Sequence, residues 1–357
     1  MQKELYSNFL NLVRLGINYN ADALIQPIGW IETQNLAEKQ GLNAVVLDGI
    51  EKLSLSSRPP QELLLEWIGG VLQDENQYVK QWETACKMSS LFYHNYIRTY
   101  VLKGFVIAEC YPNPKRRLSS DFDCYLLPVK GDFDAWDLGN QLISHSGYEA
   151  KTGYYKNSTF YLPDLMVENH QYITPFRGNK RLRNMEKFLQ SFMRSDKGVN
   201  RFEGSYLYRP PVLVSALFII EHAYSHFLSE GLTWRHILDW MLFSNKHKDE
   251  IEWDILDTLI DEYGLRKFYD SYYKLGQFLL GDVSEKDLSY NDRRMLEDVW
   301  ADLDIPETLH GAKGKLILVG NTWRARWKYH LFSEKSMLST LLSLVVGYLF
   351  NKKPSLD

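Results

Sequence analysis

The sequence predicts an α+β protein in which a strand-rich stretch lies between two helical flanks. Apolar residues recur near a 3.6-residue period over roughly the first hundred positions, switch to short alternating runs from residue 121, and return to helical spacing after Arg177. Phe9, Leu10, Leu12 and Val13, and later Leu63, Leu64, Trp67, Ile68, Val71 and Leu72, mark amphipathic helices, with Pro59-Pro60 separating two of them. Leu91 to Tyr100 reads as a helix running into the apolar pair Val101-Leu102. Gly104 then permits a reversal into a helix over Phe105 to Cys110, which Tyr111-Pro-Asn-Pro114 ends. Strands are expected at Asp121 to Leu127, Tyr148 to Lys151, Thr159 to Leu162 and Leu165 to Tyr172, with a helix over Phe133 to His145. Further helices cover Val212 to Leu228, announced by Pro210-Pro211 and closed by Gly231, and Trp234 to Phe243. The chain divides accordingly into a helical segment 1–88, an α+β core 89–178 and a helical domain 179–357.

With 357 residues, 45% of them hydrophobic, the chain has ample material for a buried core. A net charge of −4 gives no global signature of a nucleic-acid binder. Cys86, Cys110 and Cys124 lack metal-ligand spacing and cannot all pair, which fits a reducing compartment. The first residues show no basic segment followed by an apolar one, so a cytoplasmic location is expected. The apolar run Met337 to Phe350 is shorter than the roughly 20 residues of a spanning helix, and no membrane span is expected.

Asp121 and Asp123 are separated by one residue on a predicted strand, so both carboxylates face one side and together can hold Mg²⁺ or Mn²⁺. Glu168, on another predicted strand, offers a third carboxylate. Three converging acids are a common means of holding two divalent ions for phosphoryl or nucleotidyl transfer. A surface turn produces the same Asp-x-Asp without binding anything. Lys103-Gly104 reads as a strand-to-helix turn able to cradle phosphates, or as a turn glycine beside a solvated charge. Arg117 either neutralises phosphate or balances the aspartates. His170 follows Glu168 by two residues and shares its face; it orients the acid, contacts phosphate, or is a satisfied residue at a sheet edge.

His222 and His226, four apart on one helix face, have a spacing compatible with zinc, with Asp239 as an oxygen ligand. The alternatives are hydrogen bonding across a helix pair, with Arg235 and Asp239 as an i,i+4 ion pair, or a place in a cleft beside an acceptor or base. The basic run Arg177, Lys180, Arg181, Arg183 and the stretch Lys313 to His330 are solvated faces or phosphate contacts. Trp323, Arg324, Arg326 and Trp327 are a core helix or a base-stacking surface.

Leu102-Lys103-Gly104, Tyr111-Pro112, Arg117, Asp121-Phe122-Asp123 and Glu168-Asn169-His170, in that order, resemble the uncharacterised bacterial nucleotidyltransferases of the polymerase-β-like superfamily, the nucleotidyltransferase family 5 group. Glu221-His222-Ala223-Tyr224-Ser225-His226 and Trp234 to Asp239 look like that family's later helical motifs. The resemblance covers roughly residues 90 to 245. It implies a nucleotidyltransferase-like core, a small mixed sheet carrying Asp121, Asp123 and Glu168 as catalytic and metal-holding acids, with NTP as substrate. It further implies that Lys103, Gly104, Arg117 and His170 bind nucleotide, and that His222, His226 and Asp239 line a cleft. The acceptor is left unnamed. This sequence departs from the wider superfamily at Phe105, where a serine commonly follows the glycine, and at Asn169, where an apolar strand residue is usual. The first departure favours the alternative of a catalytically inactive, nucleotide-sensing or partner-binding protein on the same fold.

Overall fold

Phe122-Asp-Cys-Tyr-Leu-Leu-Pro128 forms a strand buried along all but its last residue, and a strand buried on both faces requires partners on both edges and a layer on each side. The computed structural model describes residues 2–117, 119–152, 156–174, 176, 180–195, 200–229, 231–301, 325–334, 336–339 and 342. This strand, β2, pairs antiparallel with β1 (Ile97–Val101) and parallel with β5 (Leu165–His170). β4 (Asn157–Leu162) and β3 (Lys151–Thr152) extend the sheet beyond β5. β7 (Leu207–Arg209) runs parallel to β1, and β6 (Asn200–Arg201) closes that edge. The result is a seven-stranded mixed sheet of order β3-β4-β5-β2-β1-β7-β6.

Alternation along β2 and β5 sorts their side chains onto two faces. Cys124, Leu126 and Asn169 face α6 (Ala135–His145), which approaches so closely that a Cβ on its Gly139 would lie 2.4 Å from Leu126 Cδ1. Asn169 is fully buried there. It donates to the Asn140 side chain at 3.0 Å and to the Trp136 carbonyl at 3.3 Å, while Trp136 Nε1 donates to the Asn169 carbonyl at 2.9 Å. A polar residue within an apolar strand is thus matched by polar groups on the covering helix. Asp123, Glu168 and His170 take the opposite face, beneath α8 (Val212–Ser229), whose Phe218 ring meets the His170 ring edge-on at 6.2 Å.

Among the described residues the remaining α-helices are α1 (Gln2–Gly16), α2 (Trp30–Lys39), α3 (Asn43–Glu51), α4 (Gln61–His94), the single turn α5 (Phe105–Ala108), α7 (Lys180–Arg194), α9 (Trp234–Lys246), α10 (Trp253–Glu262), α11 (Arg266–Leu280), α12 (Tyr290–Trp300) and α13 (Arg326–Phe332). N-terminal and C-terminal helices pack on one another. Arg14 of α1 donates to the carbonyls of Phe278 and Leu279, and Gln40 bridges the Val299 carbonyl and the Trp234 amide.

Three local expectations change. Helix α4 stops at His94, a turn with Tyr96 at φ 63° follows, and Ile97–Val101 is a strand where a helix to Tyr100 was expected. The helix expected over Phe105–Cys110 ends at Ala108, and the strand expected from Tyr148 is reduced to Lys151–Thr152. β6 and β7, drawn from residues after position 178, complete the sheet by pairing next to β1, so the expected cut at 178/179 falls between strands of one sheet. Arg177, Lys313 to Arg324 including Trp323, and most of Met337–Phe350 lie outside the described residues. Of that basic and aromatic stretch, Lys328 turns inward, donating to the Phe227 carbonyl and to Asp298 at 2.8 Å each. Trp327 packs against Phe227 and Phe332. Helix α8 is long and apolar enough to cross a membrane, and 61% of it is buried inside the protein, as the core helix of a packed fold also is.

Helices α1 and α3 touch through glycines. A Cβ at Gly49 would stand 2.1 Å from the Leu12 carbonyl oxygen, a contact that only a backbone shift relieves. Gly49→Ala is expected to lower the unfolding free energy by about 1–3 kcal/mol, despite the better helix propensity of alanine. An unchanged urea midpoint would show that the helices do not approach this closely.

Candidate active site

Parallel pairing of β2 with β5 sets Asp123 beside Glu168 and Tyr125 beside His170. From these positions His170 Nε2 reaches Asp123 Oδ1 at 3.1 Å and Glu168 Oε2 at 3.5 Å. The ligating atoms of Asp123, Glu168 and His170 lie within 4.8 Å of one another, close enough to share one metal ion. Neighbouring groups orient two members of the trio. Asn157 on β4 donates to Glu168 Oε2 at 2.7 Å, and His170 Nδ1 faces the Tyr172 carbonyl at 3.3 Å. Nε2 can donate to the two carboxylates, and giving up that proton while Nδ1–H stays on the Tyr172 carbonyl would turn the same nitrogen into an imidazole ligand for a metal. His170 therefore lies in an interior strand, which removes the sheet-edge alternative. The His170 hydrogen bond outweighs burial and holds the Glu168 carboxyl below its ordinary value.

Asp121 stands one residue before β2, not on it, and is brought to the site by a different route. The β1–β2 ladder continues through the Leu102 amide to the Asp123 carbonyl at 2.9 Å, which delivers Lys103 at the level of the aspartates. Gly104 follows at φ 64° and ψ −105°, a conformation that a side chain would strain, so the chain can turn immediately after the lysine. Because α5 is one turn long, it supplies no developed helix dipole for a phosphate. Phe105, in the place of the usual serine, is buried and makes edge contacts with Tyr78 and Trp82.

Lys103 Nζ lies 3.0 Å from Asp123 Oδ2, 3.4 Å from both Asp121 oxygens and 3.2 Å from His222 Nε2. An ammonium has three protons and no lone pair, so His222 Nε2 accepts here. Burial, followed by Lys103 and His226, pushes the His222 pKa well below its ordinary value and keeps the ring neutral. Burial would raise the Asp123 carboxyl, but Lys103 and His170 outweigh it and hold it well below the usual range. Lys103 is raised in turn, the two aspartates exceeding the effect of burial.

A cavity of about 280 Å³ opens on the outer side of this group, lined by Lys103, Asp121, His222, His226, Arg235 and His236 among others. His236 was not anticipated by sequence reasoning. Its Nδ1 accepts from the Thr233 amide at 3.2 Å and hydroxyl at 2.9 Å in the capping box of α9, leaving Nε2 as the protonated nitrogen of the neutral ring. Thr233-Trp-Arg-His236 at a helix start was the available signal. The rings of His222 and His226 are 4.5 Å apart, and those of His226 and His236 are 5.0 Å apart.

Arg117 and Asp239 meet each other, both nearly fully buried. Arg117 Nε and Nη2 form a fork on the two Asp239 oxygens at 2.9 and 2.8 Å, and Tyr111 donates to Oδ1 at 2.7 Å. Both oxygens of Asp239 are thus engaged, which leaves the zinc reading without its expected oxygen ligand. Arg117 touches the cavity, but its fork ties the loop before β2 to α9. Of the basic run read as a solvated face or phosphate contacts, Lys180, Arg181 and Arg183 lie on α7, where Arg181 pairs with Glu334 and Arg183 lies over the Phe176 ring.

A mixed sheet whose adjacent central strands present two acids and an imidazole, beside a cavity, is consistent with a nucleotidyltransferase-like α+β core. Residues 26–281 match the family described as uncharacterised nucleotidyltransferase, and the chain belongs to that family. No curated protein and no solved structure matches the chain.

Removing the carboxylate from Asp239 would leave the Arg117 charge and the Tyr111 hydroxyl buried without their partner. Asp239→Ala is expected to lower the unfolding free energy by about 3–5 kcal/mol, the usual loss when one half of a buried pair is deleted. Chemical denaturation checks it, and a loss below about 1 kcal/mol would show that solvent reaches the fork.

Proposed function

We propose that the protein is a divalent-metal-dependent nucleotidyltransferase that moves a nucleoside monophosphate from an NTP to a hydroxyl of an acceptor. Membership of the nucleotidyltransferase family supports the reaction class, and the convergence of Asp123, Glu168 and His170 on adjacent strands is the observation that carries the mechanism.

The residues fit a metal. Asp123 and Glu168 offer anionic oxygens, and His170 offers an imidazole nitrogen with its other nitrogen facing a carbonyl. Mixed oxygen and nitrogen donors suit Mn²⁺ at least as well as Mg²⁺. Asp123, Glu168 and His170 would hold such an ion, with Asp121 available to a second one. Divalent ions at such sites lower the pKa of an attacking hydroxyl and neutralise charge on the transferring phosphoryl group.

The chain's own groups supply the rest. Lys103 and Arg235 line the cavity as cations, and neutral His222 and His236 add imidazoles, a lining suited to a polyanion such as a triphosphate. Glu168, steadied by Asn157, is the base available to an acceptor hydroxyl. Arg117, through Asp239, fixes the segment that carries Asp121 instead of spending its fork on phosphate. A second reading, a nucleotide-binding protein without turnover, is favoured by the buried Phe105, which leaves no hydroxyl after Gly104.

Incubation with a panel of NTPs and Mn²⁺ or Mg²⁺ is expected to release pyrophosphate once an acceptor is supplied, and chelation is expected to stop it. Asp123→Asn and Glu168→Gln should each lower the rate on the order of a hundredfold or more, the scale of removing one preorganised charge from an active site. Nucleotide binding without pyrophosphate from any acceptor would select the second reading. Asn157→Ala should weaken metal binding by about 10–100-fold with the fold intact, and unchanged Mn²⁺ affinity would count against Glu168 as a ligand.

A further inference from the structure

We propose that the Lys103 ammonium holds the place of the second divalent ion between Asp121 and Asp123, and yields it for the nucleotide's phosphates when the metal–nucleotide complex arrives. The inference rests on the metal-dependent reading above. It goes beyond it by giving Lys103 two successive positions.

Three observations carry it. First, Asp123 is two-sided: Oδ1 faces His170 at 3.1 Å on the Glu168 side, and Oδ2 faces Lys103 at 3.0 Å on the Asp121 side. One ion can enter the Asp123–Glu168–His170 trio without touching Lys103. Second, the ammonium is surrounded at close range, by Asp123 at 3.0 Å, His222 at 3.2 Å and Asp121 at 3.4 Å, so its charge is already engaged in this arrangement. An ion shared by Asp121 and Asp123 would lie about 2.1 Å from the same oxygens. Like charges that close, in a site where Lys103 is 11% exposed, exclude joint occupancy. Third, Lys103 and Asp121 line the cavity. The lysine therefore has open space to swing into, on the side where a polyanion would sit.

In the nucleotide-free protein the ammonium lessens the repulsion between two nearby carboxylates at half the charge of a divalent ion. Triphosphate offers oxygens that take over the ammonium's protons, and the ion arriving with it takes over the aspartates. A second ion would accordingly enter in step with nucleotide, not before it.

The test counts Mn²⁺ bound to the full chain by electron paramagnetic resonance, without nucleotide, and measures ATP binding separately. Wild type is expected to take up a single Mn²⁺, and Glu168→Gln to lose it. Lys103→Met is expected to take up a second Mn²⁺ without nucleotide, while its affinity for ATP in the presence of Mn²⁺ falls on the order of tenfold to a hundredfold, the loss of one charged hydrogen bond. Gains in metal and losses in nucleotide are opposite in sign, which a merely structural lysine would not produce. Should Lys103→Met lose its folded circular-dichroism signal, Lys103→Gln takes its place with the same two readings. Wild type binding two Mn²⁺ without nucleotide, or a folded variant whose Mn²⁺ count is unchanged or lower, overturns the inference and leaves the metal site standing. Absence of any Mn²⁺ binding in wild type overturns the metal-dependent reading itself.

Discussion

Burying the charge of Asp123 is the constraint on which the rest of the structure depends. An isolated carboxylate at 2% exposure in the middle of a sheet costs several kcal/mol, so its neighbours must compensate on both oxygens. Lys103 does so from the end of β1 and His170 from β5, which requires β2 to lie between those two strands. α8 then covers the face they share, with Phe218 against His170 and His222 against Lys103. The sheet order, the parallel register and the seat of α8 all serve one carboxylate.

The same arrangement gives the site its polarity. Toward the sheet lie anionic oxygens and an imidazole; toward the cavity lie cations and neutral histidines. A divalent ion belongs on the first side and a polyanion on the second, with Lys103 at the boundary. Asp121, placed before the strand and half of the Asp-x-Asp signal, reaches this boundary through the lysine. The two aspartates are therefore not equivalent: Asp123 sits inside, and Asp121 opens on the cavity.

Much of this was legible in the sequence because it is local. The apolar β2 run with its acid, the Glu-x-His alternation of β5, and the long apolar α8 behind two prolines each carry their own periodicity. β1 was not legible, because it follows a 34-residue helix without a proline and turns through a tyrosine in the left-handed region. β6 and β7, two and three residues long, exist through pairing next to β1 and have no signal of their own. The site divides in the same way. Asp121, Asp123, Glu168 and His170 stand out by spacing, whereas the roles of Arg117 and Asp239 depend on a contact across 122 residues of chain, and that of His236 on a cap.

The fork between Arg117 and Asp239, with Tyr111 as its third member, also has a consequence for how the sequence can drift. Neither Arg117 nor Asp239 can change alone without stranding its buried partner, and a conservative lysine at 117 would lose the planar two-bond match. The two positions are coupled energetically, because each completes the other's buried charge. A concerted swap of both to apolar residues would avoid the weakened fold that a single change produces.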